Sequence, residues 1–240
     1  MRRILVTGAS RGIGRAVAER LMQAGDIVIG VSRGGGETVQ HPSGGRIEMR
    51  AFDLADQNPA RLVDDVWAGG GLDGLVNNAG TSPAFTSAHK LERPAWDEVL
   101  HLNLTVPFSL AQAFARLAIA GKRPGAMVMV SSIAARIGLG RLAAYTASKG
   151  GLSALTRSLA VDWAPYDLRV NAVEPGYVQT EMTEGLFQNS DLHGAILKRT
   201  LLGRTADPGE IAEVVVFLLS PSAAYLTGSL VAVDGGYSAN

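Results

Sequence analysis

The chain has 240 residues, 47% of them hydrophobic, and its 22 basic residues are balanced by 22 acidic ones. A formal charge of zero, without long runs of one sign, offers no field to attract nucleic acid or an anionic membrane, so neither partner is expected. The absence of cysteine excludes disulfides, thiolate nucleophiles and cysteine metal sites, and no other metal site is predicted. The length and apolar content suffice for one α/β domain with a full core.

The start of the chain shows no targeting signal. Met1, Arg2 and Arg3 precede an apolar run that is too short for a signal peptide. No stretch reaches the ~20 apolar residues of a membrane span. We therefore expect a soluble, cytoplasmic protein.

Short apolar runs alternate with helical stretches along the whole chain. This alternation predicts a single α/β domain with a doubly wound, parallel, seven-stranded sheet and helices on both faces. The strands are predicted at 4–7, 27–31, 47–52, 75–77, 127–130, 170–173 and 230–233. Helices are predicted at 12–24, 59–68, 94–120, 145–164 and 208–219, the last opened by an Asp207 cap and Pro208. Residues 177–205 follow the sixth predicted strand, at the sheet edge where such folds bind ligands, and are predicted to form a substrate lid within the domain.

Three glycines follow the first strand at the start of the first helix. Gly8, Gly12 and Gly14 permit torsions and close approaches that a Cβ would forbid, and a helix N-terminus presents free N–H groups to a pyrophosphate. The spacing is G-x3-G-x-G rather than G-x-G-x-x-G, and a plain tight turn is the alternative. The same residues also match a hydrolase nucleophile elbow centred on Ser10, which would need an acid and a histidine later in the chain.

Tyr145 and Lys149 lie one helical turn apart, which places both side chains on one helix face. A nearby ammonium stabilises a phenolate, so this pair suits proton transfer, although such pairs are also common on solvated faces. Ser131 and Ser132 end a strand at the sheet edge where catalytic side chains emerge. A serine there could donate a hydrogen bond to a carbonyl oxygen or could merely close the strand end. Asn103 lies inside a predicted helix, where its amide could anchor a water or be ordinary surface polarity.

Taken together, these motifs resemble a classical short-chain dehydrogenase/reductase over essentially the whole chain, with a Rossmann-type fold. The matching segments share the family's order and spacing: Thr7-Gly8-x3-Gly12-x-Gly14, Asn77-Asn78-Ala79-Gly80, Asn103, Ser132, Tyr145-x3-Lys149 and Asn171-x3-Pro175-Gly176-x3-Thr180. The family spacing selects Ser132 over Ser131 as the catalytic serine.

The resemblance implies a role for each of these residues. Tyr145 would be the general acid and base, Ser132 would polarise the carbonyl, and Lys149 would lower the tyrosine pKa and bind the nicotinamide ribose. Asn103 would hold a water in the proton relay. The remaining cofactor contacts implied by the resemblance are Gly8, Ser10, Arg11, Gly12, Ile13, Gly14, Asp53, Leu54, Asn77, Ala79, Gly80, Pro175, Gly176, Val178 and Thr180.

The end of the second strand bears on the choice of cofactor. An acidic residue there would bind the ribose 2′-OH of NAD, but this chain has Arg33. A guanidinium suits a 2′-phosphate, and Arg11 could approach the same group. The sequence therefore favours NADP(H), with NAD(H) as the alternative.

The predicted activity is reversible, NADPH-dependent reduction of a small-molecule carbonyl compound to a secondary alcohol. The general resemblance is to 3-oxoacyl-carrier-protein reductases, which hold an acidic carrier protein at two basic positions. Lys122 and Arg123 match the first, but Tyr166 and Asp167 occupy the second, which weakens this alternative.

Three further expectations remain open at the level of sequence. A non-catalytic NADP(H)-binding sensor is an alternative of another class, disfavoured by the intact catalytic set. Glu174 stands where the family has a small residue; it could recognise a cationic or hydroxylated substrate or simply face solvent. Two long predicted helices resemble those that pair subunits in family tetramers, so a homotetramer is expected.

Overall fold

A computed structural model describes residues 1–82 and 85–239. One sheet of eight strands runs through these residues in the order β3-β4-β2-β1-β5-β6-β7-β8. Its strands are β1 (Arg3–Thr7), β2 (Ile27–Ser32), β3 (Val39–Gln40), β4 (Arg46–Ala51), β5 (Gly74–Asn77), β6 (Gly125–Val130), β7 (Leu168–Pro175) and β8 (Leu230–Val233).

The seven predicted strands are all present, and they pair in parallel. The additional strand, β3, has two residues and pairs antiparallel with β4, with Val39 opposite Ile47. Such a short edge strand carries no periodicity from which it could be predicted. The doubly wound α/β fold is therefore confirmed, with one more strand than expected.

Helices cover both faces of this sheet. They are α1 (Gly12–Gln23), α2 (Pro59–Ala68), α3 (Arg93–Leu100), α4 (Val106–Ala120), α5 (Ala143–Trp163), α6 (Glu184–Phe187), α7 (Ser190–Arg199) and α8 (Pro208–Leu219). On one face α1 and α8 bury side chains such as Val17 and Ile211 against the sheet. On the other, α2, α4 and α5 bury side chains such as Leu62, Phe114 and Leu152.

The order of the strands locates the crevice that binds ligands. The chain first moves outward from β1 through β2 to β4, and then crosses back to β5, on the other side of β1. The chain therefore leaves the carboxyl ends of β1 and β5 in opposite directions, and a crevice opens between these two strand ends. Doubly wound sheets bind nucleotides at this point, where the order of the strands reverses.

The long helix predicted at 94–120 is interrupted. A wide π-helical turn, His101–Thr105, joins α3 to α4. Pro107 lies at the start of α4 and has no N–H to donate to the carbonyl of Asn103, four residues earlier, which favours a break in the regular ladder here. By length and composition the run Arg93–Ala120 could cross a membrane, but half of its most apolar window is buried inside the fold, as in the core helix of a globular domain.

The segment 177–205 contains two helices, α6 and α7, that its mixed polarity did not predict. Its ends are tied together, because Val178 and Ala206 form an isolated parallel bridge. The segment leaves the carboxyl end of β7 and returns to it, as the predicted lid requires.

Candidate active site

The glycine turn has the backbone geometry that its sequence predicts. Gly8 and Gly12 adopt positive φ angles of 67° and 55°, which favour glycine. A Cβ at Gly14 would lie 2.2 Å from the carbonyl oxygen of Gly8, so the first turn of α1 packs directly on the loop before it. The helix N-terminus is thereby held at the mouth of the crevice, as binding of a pyrophosphate requires.

The neighbouring strand β5 holds this turn in place through Asn78. The Oγ1 atom of Thr7 accepts hydrogen bonds from the backbone N–H groups of Asn78 and Ala79, both at 3.0 Å. Asn78 Nδ2 donates to the carbonyl of Thr7 at 2.9 Å and lies 3.3 Å from that of Gly8. Asn78, which the sequence marks only as part of a motif, thus anchors the glycine turn to the loop after β5.

Asn77 has a different role from its neighbour. Its side chain is buried and donates to the carbonyl of Pro107 at 3.3 Å, with Met129 Sδ 3.2 Å away. The side chain thus joins β5 to α4 through its Nδ2 atom, while its buried Oδ1 has no hydrogen-bond partner among the described residues.

The other predicted adenosine contacts follow β2 and β4. Arg33 is exposed immediately after β2, and it forms no ion pair with the described residues. Asp53 follows β4, where its Oδ1 accepts from the N–H of Ala55 at 3.0 Å, and Leu54 beside it is 6% exposed. A cation beside the end of β2, without an acid there, fits a phosphorylated ribose.

Arg11 is already paired in this structure. Its guanidinium forms an ion pair with Glu181, so the glycine turn contacts the segment 177–205 directly. Both side chains are exposed, so this pair contributes little to stability and leaves Arg11 free to exchange partners. Ser10 is exposed beside it, and no hydrogen bond joins it to a histidine in the described part of the chain. The triad that a hydrolase would need is therefore missing from those residues.

Ser132 follows β6 and caps a short helical turn over residues 133–135. Its Oγ accepts the N–H of Ala134 at 3.1 Å, which leaves the hydroxyl proton available for another acceptor. Tyr145 is within hydrogen-bonding reach of this hydroxyl. Ser132 can therefore donate to the tyrosine oxygen or to a carbonyl oxygen placed beside it.

Tyr145 and Lys149 both lie on α5 and face the end of β6. Lys149 Nζ donates to the carbonyl of Val130 at 2.8 Å and lies 5.8 Å from the centre of the Tyr145 ring. Burial raises the pKa of Tyr145, while the hydrogen bond with Ser132 lowers it. Burial lowers the pKa of Lys149 to about 8, so the ammonium stays mostly charged at neutral pH.

The balance at Tyr145 differs from the prediction. The family resemblance implies that Lys149 lowers the pKa of the Tyr145 phenol, but in this structure burial has the largest effect and the pKa is raised. Ser132 is the group that opposes it. The neutral phenol therefore dominates near pH 7, which suits donation of a proton.

Asn103 occupies the π-helical turn and is completely buried. Its Oδ1 accepts the N–H of Thr81, and its Nδ2 donates to the carbonyl of the same residue, both at 2.8 Å. Nδ2 also lies 3.2 Å from Ser148 Oγ on α5. The amide is thus committed to fixing the loop after β5 against α5, and a water at this residue would have to use its carbonyl rather than its side chain.

The remaining predicted contacts lie where β7 enters the segment 177–205. A Cβ at Gly176 would lie 2.8 Å from Cα of Asp234, so Pro175 and Gly176 pass close to the end of β8. Val178 is buried, and Thr180 approaches Gly12, since a Cβ there would lie 3.3 Å from Thr180 Cγ2. These residues therefore stand opposite the glycine turn, where the middle of a dinucleotide would pass.

Two other expectations change. Glu174 is 0% exposed and paired with Arg136 and Ser153, so it neither faces solvent nor has carboxylate oxygens free for a substrate. Arg123 is bound to Asp73 through Nη2 at 2.7 Å and Nε at 3.1 Å, so the basic position that matched a carrier-protein reductase serves an internal ion pair.

Comparison with known proteins identifies the family. The family described as Enoyl-(Acyl carrier protein) reductase matches residues 8–238. A 3-oxoacyl-[acyl-carrier-protein] reductase from Vibrio harveyi is 37% identical over 97% of this chain and 95% of its own length. The chain belongs to the short-chain dehydrogenase/reductase family. A cis-4-hydroxycyclohexanecarboxylate dehydrogenase from Sinomonas cyclohexanicum is 39% identical over 98% of this chain and 96% of its own.

Solved structures of this family agree in fold. A putative 2-deoxy-d-gluconate 3-dehydrogenase from Agrobacterium tumefaciens with bound NADP matches with a TM-score of 0.91 and 36% identity, over 100% of this chain and 97% of that one. As a short-chain dehydrogenase/reductase, the protein is a nicotinamide-dependent oxidoreductase of CH–OH and C=O groups. The structure brings together Ser132, Tyr145, Lys149 and Asn103, the four residues predicted from the sequence to be catalytic, along α5.

Proposed function

We propose that the protein is a cytoplasmic, NADPH-dependent carbonyl reductase that converts a small ketone to a secondary alcohol, reversibly. The observation that carries this proposal is the grouping of Ser132, Tyr145 and Lys149, in which a serine hydroxyl and a neutral phenol converge beside a buried ammonium. The nicotinamide, when bound, supplies the hydride.

The protein's own residues would provide the proton and the orientation. Ser132 would donate a hydrogen bond to the carbonyl oxygen, and Tyr145 would give its phenolic proton to the same oxygen. The Lys149 ammonium would stabilise the phenolate that remains and would hold the ribose hydroxyls. Asn103 would keep the loop after β5, and hence Gly80, in contact with this site; a Cβ at Gly80 would lie 3.0 Å from Asn103 Oδ1.

The cofactor preference rests on Arg33. A free guanidinium at the end of β2 would pair with a 2′-phosphate through charge and bidentate geometry. Arg11 would join it by exchanging Glu181 for the phosphate. The glycine turn, the end of β4, Ala79, Gly80, Val178 and Thr180 would hold the rest of the dinucleotide.

We favour a small, free substrate over a carrier-bound thioester. Arg123 is engaged with Asp73, and the second basic position of such reductases holds Tyr166 and Asp167. An acidic carrier protein would therefore gain little binding energy from these two positions to assist the reaction. The names of the relatives refer to hydroxylated acids and sugars, so compounds of these classes should be tested first.

A turnover screen tests the proposal. NADPH absorbance would be followed with 4-oxocyclohexanecarboxylate, a keto-sugar acid, a simple cyclic ketone and an acetoacetyl carrier protein. The proposal expects consumption of NADPH with at least one free ketone, at a kcat/KM no lower than with the carrier substrate. Binding of NADPH without turnover of any compound would instead support a sensor, and a strong carrier preference would support fatty-acid synthesis.

Replacing Tyr145 by Phe provides the matched test of the chemistry. The ring and its packing are kept while the transferable proton is removed, so kcat should fall by ~10²- to 10⁴-fold. NADPH affinity, measured by quenching of protein fluorescence, should be nearly unchanged. A variant that reduces the best ketone at close to the parental rate would show that Tyr145 is not the proton donor.

A further inference from the structure

Glu174 is a buried charge that the chemistry above does not use. It is the last residue but one of β7 and is 0% exposed. Ser153 Oγ donates to its Oε1 at 2.7 Å, and Arg136 Nε donates to its Oε2. A buried carboxylate is costly unless it is paired in this way, and an apolar side chain could fill the same space. The pairing therefore calls for an explanation beyond stability.

The first partner of Glu174 fixes the turn that carries Ser132. Ser132 caps the helical turn over residues 133–135, and Arg136 ends it. Besides its bond to Glu174, Arg136 donates from Nη2 to the carbonyl of Leu230 on β8 at 2.8 Å. The turn is thus held at one end by its serine cap and at the other by a guanidinium fixed to β7 and β8.

The second partner leads to the backbone of Lys149. Ser153 lies one turn beyond Lys149 on α5, and its Oγ is 2.9 Å from Ser131 Oγ, which in turn lies 3.1 Å from the carbonyl oxygen of Lys149. Because a carboxylate can only accept, the hydroxyl proton of Ser153 is committed to Glu174. Ser131 is therefore the donor toward Ser153, and its single hydroxyl proton is shared between Ser153 Oγ and the carbonyl oxygen of Lys149. The charge of Glu174 thus sets the direction of these hydrogen bonds.

We propose that Glu174 is a positioning residue that holds Ser132 and Lys149 in a fixed relation, through Arg136 on one side and Ser153 and Ser131 on the other. This proposal rests on the proposed carbonyl reductase function. Glu174 itself touches neither substrate nor cofactor. Its contribution is to keep the serine hydroxyl aimed at Tyr145 while β7, β8 and α5 stay docked together.

The charged groups around this network are few among the described residues. Arg136 faces Glu174 from the turn after β6, and Lys149 lies on α5. Asp234, just after β8, also senses Arg136: burial raises the Asp234 pKa, but hydrogen bonds from Ser238 and Gly236 and the charge of Arg136 outweigh this, and the net shift is downward. Removing the charge of Glu174 would leave Arg136 to turn toward Asp234 and pull the Ser132 turn with it.

The test compares Glu174→Gln with Asp26→Asn. Asp26 is a matched control, because it is also buried and paired with an arginine, Arg2, at 2.6 Å, but at the opposite edge of the sheet. Five quantities would be measured: Tm, kcat and KM with the best ketone and NADPH, the pH midpoint of alcohol oxidation, and hydrogen exchange of peptides covering residues 131–141.

For Glu174→Gln we expect kcat to fall by roughly 10- to 100-fold, as small misplacements of reacting groups do. KM for NADPH should change by less than about twofold, since the Lys149 ammonium keeps its own hydrogen bond to the carbonyl of Val130 and no side chain proposed to touch the cofactor is removed. The oxidation midpoint should move to higher pH, because the hydrogen bond from Ser132 lowers the Tyr145 pKa, and residues 131–141 should exchange faster. Asp26→Asn should lower Tm and leave the other four quantities unchanged.

A Glu174→Gln protein that loses Tm but keeps kcat, pH midpoint and exchange would overturn the proposal. The double variant Glu174→Gln/Arg136→Gln should lose no more activity than either single variant if the pair acts as a unit, whereas fully additive losses would contradict it. Should Glu174→Gln not fold, Ser153→Ala, which removes one arm only, takes its place in the same measurements. If the parental protein reduces no carbonyl compound, the proposed function fails, and hydrogen exchange alone then decides the positioning role.

Discussion

At the scale of single residues, hydrogen bonds to neighbouring groups fix the orientation of each polar side chain in the candidate site. The Ser132 hydroxyl accepts the N–H of Ala134, so its own proton is available for another acceptor. The side-chain amide of Asn103 accepts from and donates to the backbone of Thr81 and also donates to Ser148. Lys149 is held at the carbonyl of Val130, within reach of the phenol it would assist. Each polar group near the reacting carbonyl thus has one defined task, which is the preorganisation that acid–base chemistry needs.

The Lys149 pKa makes the pH dependence testable. Burial lowers it from 10.5 to about 8, so the ammonium is present below about pH 8 and is lost as pH rises above that value. We expect the kcat for reduction to be level at neutral pH and to fall above about pH 8, as stabilisation of the developing phenolate is lost. Lys149→Arg keeps its charge to far higher pH, so the falling limb should move upward. A limb that stays near pH 8 in Lys149→Arg would assign it to another group.

Replacing Arg33 tests the predicted preference for NADPH over NADH. Arg33→Asp replaces a cation by a carboxylate that can accept from a ribose 2′-OH, so kcat/KM for NADPH should fall while that for NADH holds or rises. Arg20→Asp, with the same reversal of charge at the other end of α1, should leave the ratio of the two cofactors unchanged. A parental enzyme that already prefers NADH would contradict the prediction and indicate that Arg33 points to solvent.

At the scale of elements, the regular parts of the fold could be predicted and the irregular parts could not. Both α2 and α8 occupy the predicted residues, because their caps and proline starts are local signals. The π-helical turn at Asn103 depends on packing: a Cβ at Gly151 of α5 would lie 2.9 Å from Leu104 Cδ2, a closeness that no sequence period reveals. The helices α6 and α7 lie in a segment of mixed polarity that has no clear period. The pairing of Glu174 with Arg136, 38 residues apart, is likewise a tertiary contact.

The start of α8 supplies a prediction about stability. Asp207 caps the helix, and Glu210 closes the capping box while its carboxylate accepts two hydrogen bonds from Arg204, at 2.7 and 2.6 Å. The hydrogen bonds from Arg204, followed by that from the backbone of Asp207, lower the Glu210 pKa from 4.5 to about 2.

A carboxylate with a depressed pKa stabilises the fold above its ordinary pKa, and this contribution is lost as pH falls from about 4.5 to about 2. Glu210→Gln should therefore lower Tm at pH 7, and the difference from the parental Tm should shrink toward pH 2. Because Arg204 and Glu210 are both exposed, the effect should be small. A difference in Tm that is independent of pH would mean that the side chain acts by packing rather than by charge.

At the scale of the whole molecule, the fold places binding and chemistry on one edge and leaves apolar surface elsewhere. The carboxyl ends of β1, β2, β5, β6 and β7 supply the glycine turn, Arg33, Asn78, Ser132 and the lid segment. The helices α4 and α5 bury one face against the sheet, but Phe108 on α4 is 37% exposed and Val161 on α5 is 76% exposed. Large apolar side chains exposed on the outer surface of these two helices are suited to burial against other subunits.

We therefore predict a homotetramer that uses the outer faces of α4 and α5. Val161→Arg should place a charge within such an interface, and burying a charge without a partner is costly. The variant should therefore shift the mass in solution from tetramer to dimer or monomer. Leu192→Arg on α7, also half exposed but outside these helices, is the matched control and should leave the mass unchanged. Sedimentation velocity at several protein concentrations distinguishes the states. A parental protein that sediments as a monomer at all concentrations would contradict the predicted tetramer. A tetramer that persists in Val161→Arg would show that the interface lies on other helices.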